Sequence, residues 1–352
     1  MSIQNRVLQQ NKVLQKNKEI QQNEVLKQNE VLKQNKAPQQ KYGIAAKLAL
    51  FGATFIWGSS FLIVKNSMDV IQPHMLLAFR FTIGCLLLCI LFRKKLKDIN
   101  KEYLIRGGIL GTLLFAAYSL QTIGITDTTP GKNAFLTAIY CVLVPFFFWP
   151  VDKKKPDNFN LIAAFVSIVG IGLVSLDGDF SIRMGDALTL GSGVIYAMHM
   201  VAVAKFTGKR DPILLTILQF GFAAVYSWII GVLFEDMPTV WDTKSIASLL
   251  YLAVFATAFA LLLQNVGQKY THPAPAAIIM SLESVFGVLF SVLFYHEVIT
   301  PRLFIGFGLI FAAIIISETK LGFLMKHKRA SQSLPLDVEQ KRAVIIPEDI
   351  YE

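Results

Sequence analysis

The sequence predicts an all-α integral membrane protein with ten transmembrane helices, arranged as a five-plus-five inverted repeat. Of its 352 residues, 54% are hydrophobic and only 16% are charged, against about 25% charged in soluble domains. The apolar residues form continuous runs of helix length, whereas the strands of a membrane barrel would alternate over about ten residues. Short sequence similarities also recur at a nearly constant offset between two parts of the chain.

The predicted helices follow from the positions of the apolar runs. Five runs without Asp, Glu, Lys, Arg or His reach about the 18 to 20 residues that cross a bilayer as a helix; they are 107–126, 133–151, 158–176, 212–234 and 245–268. Five weaker spans, which are shorter or contain an ionisable side chain, are 48–64, 73–92, 187–204, 273–295 and 303–317. The resulting organisation is a polar tail (1–43), two five-helix halves (44–177 and 184–320) and a carboxyl-terminal tail (321–352).

Lys and Arg are distributed unevenly between the connections. Thirteen lie in connections on the side of the amino-terminal tail and five on the other side. Because positive charge collects on the cytoplasmic side, we expect a multi-pass protein of the cytoplasmic membrane with both termini in the cytoplasm. This bias and anionic lipid account for the net charge of +10, so nucleic-acid binding is not predicted.

The amino-terminal tail contains a hexapeptide repeat over residues 7–36: VLQQNK, VLQKNK, EIQQNE, VLKQNE and VLKQNK. Six residues advance a helix by about 240° beyond a full turn, so the apolar pairs form no single stripe. A coiled coil requires a period of about 3.5 residues. We therefore expect a solvated, disordered and dispensable polar arm, and leave open a weak interaction or membrane-surface arm.

An internal duplication is visible in the membrane part. PHMLLAFRF from Pro73 is similar to PILLTILQF from Pro212, and LQTIG from Leu120 is similar to LQNVG from Leu263. Because each half has an odd number of helices, the second half enters the membrane from the opposite side. Inverted repeats of this kind are typical of secondary transporters.

Four segments resemble the EamA family of the drug/metabolite transporter superfamily: FIWGSSFLIVKNS, PHMLLAFRF, NAFLTAIYCVLVPFF and SLESVFGVLFSVLFYHEVITPRLFIGFGLIFAAIIIS. The resemblance covers about residues 45–318 and excludes both tails. It implies a five-plus-five inverted repeat and movement of small metabolites or drugs across a cytoplasmic membrane, often outward. Many members have a proline after the glutamate of the ninth helix, whereas this chain has Ser284 after Glu283.

Glu283 is a lone carboxylate in the middle of the ninth span. A charge at that depth costs about 2.5 to 3.5 kcal/mol, so we expect the side chain to face the interior. The repeat offset maps Glu283 onto Tyr140, also near the middle of its span. Burial disfavours the charged form of a carboxyl, which allows proton exchange. Two interpretations remain open: a proton-coupling or cation-contacting group, or a structural hydrogen bond to Ser281, Ser284 or another helix.

Two other ionisable residues lie well inside predicted spans. Arg80 either pairs with a buried acid or contacts the solute, and His199 either packs or contacts the solute. Neutral polar and aromatic side chains suited to a pocket for small organic molecules are Trp57, Ser60, Tyr118, Gln121, Tyr196 and Gln264. Each of these residue types also serves as packing glue between membrane helices.

Three features predict how the helices pack and bend, and not how a solute is bound. The pairs Gly107–Gly111 and Gly308–Ala312 match the small-xxx-small spacing that lets helices approach closely. Pro145 predicts a bend in the fourth helix.

No catalytic residues, cofactor or metal site are expected. Gly131-Lys132-Asn133 lacks the spacing and the Ser or Thr of a phosphate loop, and His296-Glu297 lacks the second histidine of a zinc-protease helix. The sequence therefore favours a secondary transporter, with export the favoured direction, moving a small organic metabolite or drug by alternating access. A lipid translocase or another non-transport membrane protein is the alternative. The expected partners are the small-molecule substrate and membrane lipid, and a homodimer is left open.

Overall fold

A computed structural model describes residues 44–153, 155–176, 182–207, 210–239, 241–270 and 273–320. The hexapeptide repeat and both predicted tails lie outside these residues. The helices are α1 (Ile44–Ser67), α2 (Pro73–Leu91), α3 (Lys101–Gly124), α4 (Pro130–Val151), α5 (Asn158–Ser175), α6 (Met184–Phe206), α7 (Pro212–Phe234), α8 (Thr243–Gln264), α9 (Pro273–Phe290) and α10 (Pro301–Thr319).

The described part of the chain is almost entirely helical. Nine of its helices are long and apolar enough to cross a membrane, and α9 adds a shorter apolar stretch, Ile279–Tyr295. The one β feature among these residues is an isolated bridge between Leu176 and Ile182. Large apolar side chains such as Phe165 and Phe304 remain exposed, as a lipid-facing surface requires. The chain is therefore organised as a multi-pass membrane protein.

Two helices depart from regular α geometry beside the centre of the bundle. α4 is interrupted by a turn at Ala138–Ile139, between segments Pro130–Thr137 and Tyr140–Asp152. Pro145, where the sequence predicts a bend, lies inside the second segment, so this break is a separate feature. In α8, residues Tyr251–Phe259 form a π-helix, a feature often found at functional sites.

Polar contacts group the helix termini into two ends of the bundle. At one end, Glu235 follows α7 and accepts hydrogen bonds from His74 N (2.9 Å) and Met75 N (2.8 Å), at the start of α2. Glu297, which follows α9, accepts a hydrogen bond from Gly131 N (3.1 Å), at the start of α4. The carboxyl ends of α7 and α9 thus lie beside the amino ends of α2 and α4. We call this the Glu297 end.

At the opposite end of the bundle, the carboxyl ends of α2 and α10 lie beside the amino ends of α7 and α5. Lys95, which follows α2, forms an ion pair with Asp211, which precedes α7. Lys320 follows α10, and its Nζ lies 2.5 Å from Oδ2 of Asp157, which precedes α5. We call this the Lys95 end.

Glycines allow the closest helix contacts. A methyl group added at Gly107 would lie 2.4 Å from Leu218 Cβ, and one at Gly111 would lie 2.5 Å from Phe222 Cβ, so the predicted close approach at this pair is confirmed. The prediction for Gly308 is wrong, because a methyl group there would meet nothing within 4 Å. The close approach of α10 to α5 instead depends on Gly306, two residues before Gly308 in α10, and on Gly170 in α5.

Candidate functional site

A central cavity of about 150 Å³ lies between the two halves of the chain. This volume is well above the roughly 10 to 15 Å³ that one water molecule needs. All the residues predicted as a binding or charge site line it: Trp57, Ser60, Arg80, Tyr118, Gln121, Tyr140, Tyr196, His199, Gln264 and Glu283. These residues come from seven helices, α1, α2, α3, α4, α6, α8 and α9, so the cavity depends on packing between both halves.

Glu283 and Tyr140 meet across the interface between the halves. The Tyr140 hydroxyl donates a hydrogen bond of 2.9 Å to Glu283 Oε1, and Glu283 is only 7% exposed. The predicted hydrogen-bond partner is thus on another helix, since the Ser284 hydroxyl donates to the Ser281 carbonyl oxygen instead. Two positions related by the repeat offset are direct neighbours.

Arg80 is 3% exposed and also faces the cavity. Its Nε donates a 2.6 Å hydrogen bond to the Thr257 hydroxyl, and its Cζ lies 4.8 Å from the centre of the Tyr118 ring. The predicted alternative of pairing with a buried acid is not seen: among the described residues, no carboxylate lies within ion-pair distance of this guanidinium.

The π-helical part of α8 explains how Thr257 holds Arg80. The Thr257 hydroxyl donates its own proton to Leu252 O at 2.8 Å, five residues earlier, as the π-helical spacing allows. Its oxygen lone pair is therefore free to accept from Arg80 Nε. Sequence reasoning missed Thr257, since a threonine in an apolar helix gives no signal by itself.

Three tyrosines connect the two charged residues. The ring centres of Tyr118 and Tyr196 are 5.5 Å apart, and those of Tyr196 and Tyr140 are 6.3 Å apart. Arg80 contacts the first ring and Glu283 accepts from the last hydroxyl. We call Tyr118, Tyr196 and Tyr140 the tyrosine arc.

Neutral polar groups position the tyrosine arc. Gln121 Oε1 accepts from the Tyr196 hydroxyl and Gln121 Nε2 donates to the Thr137 hydroxyl, both at 3.1 Å. Asn133 and Thr137 also line the cavity and were missed by the sequence analysis. The available signal was spacing, because residues 133, 137 and 140 lie on one face of a helix.

His199 lies where the central cavity joins a second cavity of about 250 Å³. Its Nε2 is 2.9 Å from Gln219 Oε1. The second cavity shares His199 and Gln264 with the first and extends to Ala204 and Pro212, which lie near the Lys95 end. The second cavity therefore extends the central cavity toward the Lys95 end.

The Glu297 end has a dense network beyond the cavity. Glu297 is 8% exposed, and its carboxylate accepts from the Thr129 hydroxyl, the Ser291 hydroxyl and Gly131 N. Glu297 is not among the predicted site residues, because its burial depends on contacts with α4 that are remote in sequence.

A second carboxylate completes this network. Asp186, in the first turn of α6, is fully buried. It lies 2.6 Å from Lys132 Nζ and accepts a 2.5 Å hydrogen bond from the Thr128 hydroxyl. We call Glu297, Asp186, Lys132 and their hydroxyl partners the Glu297-end network. It joins the first half, through α4, to the second half, through α6 and α9.

The arrangement defines a class: a multi-pass helical membrane protein whose buried polar cavity lies between two halves. The model of the EamA-like transporter family matches twice, at residues 44–176 and 183–319. The chain therefore belongs to the EamA-like transporter family and is a membrane transporter.

Several curated proteins are similar over most of their length. An uncharacterized transporter from Archaeoglobus fulgidus is 33% identical, over 76% of this chain and 83% of the relative. The uncharacterized transporter YvbV of Bacillus subtilis is 26% identical, over 82% and 94%. The threonine/homoserine exporter RhtA of Escherichia coli K12 is 22% identical, over 78% and 90%. A solved crystal structure matches with a TM-score of 0.56 at 18% identity, covering 78% of this chain and 98% of the other, which supports the fold alone.

Proposed function

We propose that this membrane transporter is a secondary transporter that exports a small organic solute across the cytoplasmic membrane by alternating access. The observation that carries the proposal is Glu283: a buried carboxylate on the wall of a cavity between two halves, with Tyr140 as its hydrogen-bond partner. The export direction draws support from the exporter RhtA among the relatives. We propose the ten cavity-lining residues predicted from sequence as the solute site.

Ten helices in two oppositely oriented five-helix repeats are part of the proposal. The family model matches each half once. The repeat-related pair Tyr140 and Glu283 forms a direct hydrogen bond. The contacts of Glu235 and Asp211 are consistent with α7 running antiparallel to its repeat equivalent α2. Two interlocked copies of one unit supply the pair of alternative conformations that alternating access needs.

We propose that the Lys95 end is cytoplasmic and that both termini lie there. Its connections are rich in basic residues: Arg93, Lys94, Lys95, Lys97, Lys153, Lys155 and Arg210. The second cavity leads toward this end, while the Glu297-end network ties the halves together at the other. These features support an inward-facing conformation with a closed outer gate.

Glu283 is proposed as the coupling group. Desolvation disfavours its charged form, and the Tyr140 hydroxyl can donate to the carboxylate or to a carboxyl group's carbonyl oxygen. A proton can therefore bind and leave without breaking the packing around it. Glu283→Gln keeps the acceptor for Tyr140 but cannot be ionised.

Flux into proteoliposomes with and without a pH gradient tests the function, using solutes found by comparing metabolites of cells with and without the protein. We expect Glu283→Gln to reach the membrane and bind solute but to lose coupled flux to background. Wild-type flux and pH dependence in this variant would exclude the coupling role. Movement of labelled lipid without solute flux would favour a lipid translocase.

Access to the cavity is a second test. In a background in which Cys85, Cys89 and Cys141 are replaced, we expect Gln264→Cys to react with an impermeant thiol reagent from the cytoplasmic side only. Reaction from the outer side alone would reverse the proposed orientation. Cysteines placed next to each terminus report its side in the same experiment.

A further inference from the structure

We propose that the Asn133 side-chain oxygen, beside the break in α4, forms a binding site for a hard monovalent cation such as Na⁺. The site lies on the wall of the central cavity, which Asn133 and Thr137 both line. The proposal goes beyond the proposed function, because it adds an ion site to the carboxyl of Glu283. Its test is ion binding, which does not depend on transport.

Asn133 carries a buried hydrogen-bond acceptor without a partner. The residue is fully buried, and its Oδ1 has no hydrogen bond within the part of the chain that the structure describes. A buried acceptor is costly unless a ligand satisfies it. Because Asn133 lines the central cavity, a ligand inside the bundle is in position to do so.

The orientation of the Asn133 amide is fixed by its nitrogen. Nδ2 donates to Thr189 Oγ1 at 2.8 Å and to Gln121 O at 3.3 Å. The Thr189 hydroxyl donates its own proton to Gly185 O at 2.7 Å, and a carbonyl oxygen cannot donate. Exchanging the amide oxygen and nitrogen would therefore place an acceptor against two acceptors. Oδ1 is thus the atom that remains for a ligand.

The break in α4 adds negative potential beside this oxygen. Thr137 lies one helical turn after Asn133 on the same face and is the last residue of the first α4 segment. In the turn that follows, Cys141 N donates to Ala138 O at 3.1 Å, so Thr137 O lacks the donor that a continuous helix supplies. Carbonyl oxygens at the end of a half-helix carry partial negative charge, and discontinuous helices coordinate cations in this way in other transporters.

The chemistry of the oxygens selects the class of ion. Thr137 Oγ1 accepts from Gln121 Nε2, and Gln121 Oε1 accepts from the Tyr196 hydroxyl; each oxygen keeps a second lone pair. Together with Asn133 Oδ1 they form a set of neutral amide and hydroxyl oxygens. Divalent hard cations are bound mainly through carboxylates, and transition metals prefer nitrogen or sulfur ligands. Neutral oxygens are the ligands that monovalent hard cations take.

The charges around the site are balanced before an ion binds. Lys132, the neighbour of Asn133, has its ammonium 2.6 Å from Asp186 Oδ2. On the cavity wall, the positive charge of Arg80 is matched by the carboxyl of Glu283. A monovalent ion adds one charge to this set, whereas a divalent ion would add two without a further acid to offset them.

Thermal unfolding of the purified full chain tests the proposal. The probes are NaCl, KCl and N-methylglucamine chloride at equal concentration, so that ionic strength is constant and only the cation differs. We expect NaCl or KCl to raise the unfolding temperature above its value in N-methylglucamine chloride, with a saturable dependence on concentration that gives the affinity. The same unfolding temperature in all three salts would overturn the proposal.

Two buried asparagines assign the site. Asn133→Ala removes the unpartnered oxygen and should weaken alkali-ion binding about tenfold or more. Asn160→Ala is the matched control, because Asn160 is also buried but has both atoms paired: Oδ1 accepts from Asp157 N and Nδ2 donates to Ser317 Oγ, each at 3.1 Å. This control should lose stability and keep the wild-type ion affinity. Equal weakening in both variants, or unchanged affinity in Asn133→Ala, would contradict the assignment.

Thr137→Val provides a second variant if Asn133→Ala does not fold. It keeps the shape of the side chain and removes its hydroxyl, so ion affinity should fall about threefold or more. Unchanged affinity would exclude the α4 break as the site.

Flux into proteoliposomes separates failure of this proposal from failure of the proposed function. Solute flux under a pH gradient without any response to Na⁺ or K⁺ in unfolding would remove the ion site and leave the transporter proposal standing. Alkali-ion binding that Asn133→Ala abolishes, with no solute flux under any gradient, would keep the ion site and remove the proposed function.

Discussion

Two carboxylates near α9 are almost equally buried and yet are held very differently. Glu297 is 8% exposed and accepts hydrogen bonds from two hydroxyls and a backbone N–H. Glu283 is 7% exposed and accepts from one hydroxyl, that of Tyr140. Glu297 joins the end of α9 to the start of α4, whereas Glu283 faces the cavity.

The number of hydrogen-bond partners distinguishes buried charges that hold the fold from buried charges that could respond to a ligand or proton. A fully satisfied buried carboxylate stabilises the contacts around it, because each donor would otherwise lose its partner. A carboxylate with unused acceptor capacity on a cavity wall contributes less to folding and can respond to a ligand or proton. The same contrast separates Asp186, which has both Lys132 and Thr128, from Arg80.

The largest expected effect is on stability at the Glu297 end. Glu297→Ala should lower the free energy of unfolding by about 3 kcal/mol, because three buried donors lose their acceptor and the amino end of α4 loses a nearby negative charge. The unfolding midpoint of purified protein in mixed detergent micelles measures the loss.

Glu283→Gln is the matched control for Glu297→Ala. It retains the acceptor for Tyr140, so its stability should stay within about 0.5 kcal/mol of the wild type, the range of a neutral substitution. A greater loss of stability in Glu283→Gln than in Glu297→Ala would remove the distinction between the two carboxylates.

A smaller effect is expected for the ion pair in the Glu297-end network. Asp186→Asn should cost about 2 kcal/mol, since the largely buried Lys132 ammonium loses its counter-charge. Lys132→Met in the same chain should recover about 1 kcal/mol of this loss. Unfolding midpoints of the two single variants and the double variant provide the cycle.

The Asp186 and Lys132 variants also test whether the Glu297-end network forms the proposed closed outer gate. If the network closes the outer side, Asp186→Asn should make a cysteine at position 264 reactive from outside. Unchanged one-sided labelling, together with additive stability losses, would show that the ion pair neither couples to its surroundings nor restricts access.

Strong local signals predicted the apolar helices and the polar side chains that line the cavity, while the role of these side chains as a solute site stays a prediction. A polar or charged side chain in a long apolar run must face the interior, so residues such as Glu283, Arg80 and Gln121 could be identified one by one. The repeat offset also relates Tyr140 to Glu283, which form a direct hydrogen bond.

What the sequence could not predict depends on contacts between distant segments. Glu297 and Asp186 occur near helix ends, where charged residues are ordinary, and their burial is set by α4. Gly306 and Gly308 have nearly the same sequence context, yet only Gly306 faces α5, because helix rotation is fixed by tertiary packing. The break in α4 at Ala138–Ile139 likewise could not be predicted, because no proline lies at these positions.

The smallest expected effect concerns Thr257, which orients the Arg80 guanidinium without changing its charge. Thr257→Val keeps the shape of the side chain but removes the oxygen that accepts from Arg80 Nε. Because the guanidinium remains charged and faces the cavity, stability should fall by only about 1 kcal/mol. The transported solute should bind about threefold to tenfold more weakly, since the guanidinium is no longer held in one orientation. Thr257→Ser, which keeps the hydroxyl, should bind the solute as the wild type does. If Thr257→Ser lost as much affinity as Thr257→Val, Thr257 would be acting through packing alone, and the contrast between the saturated Glu297-end network and the cavity would then rest on Glu283 alone.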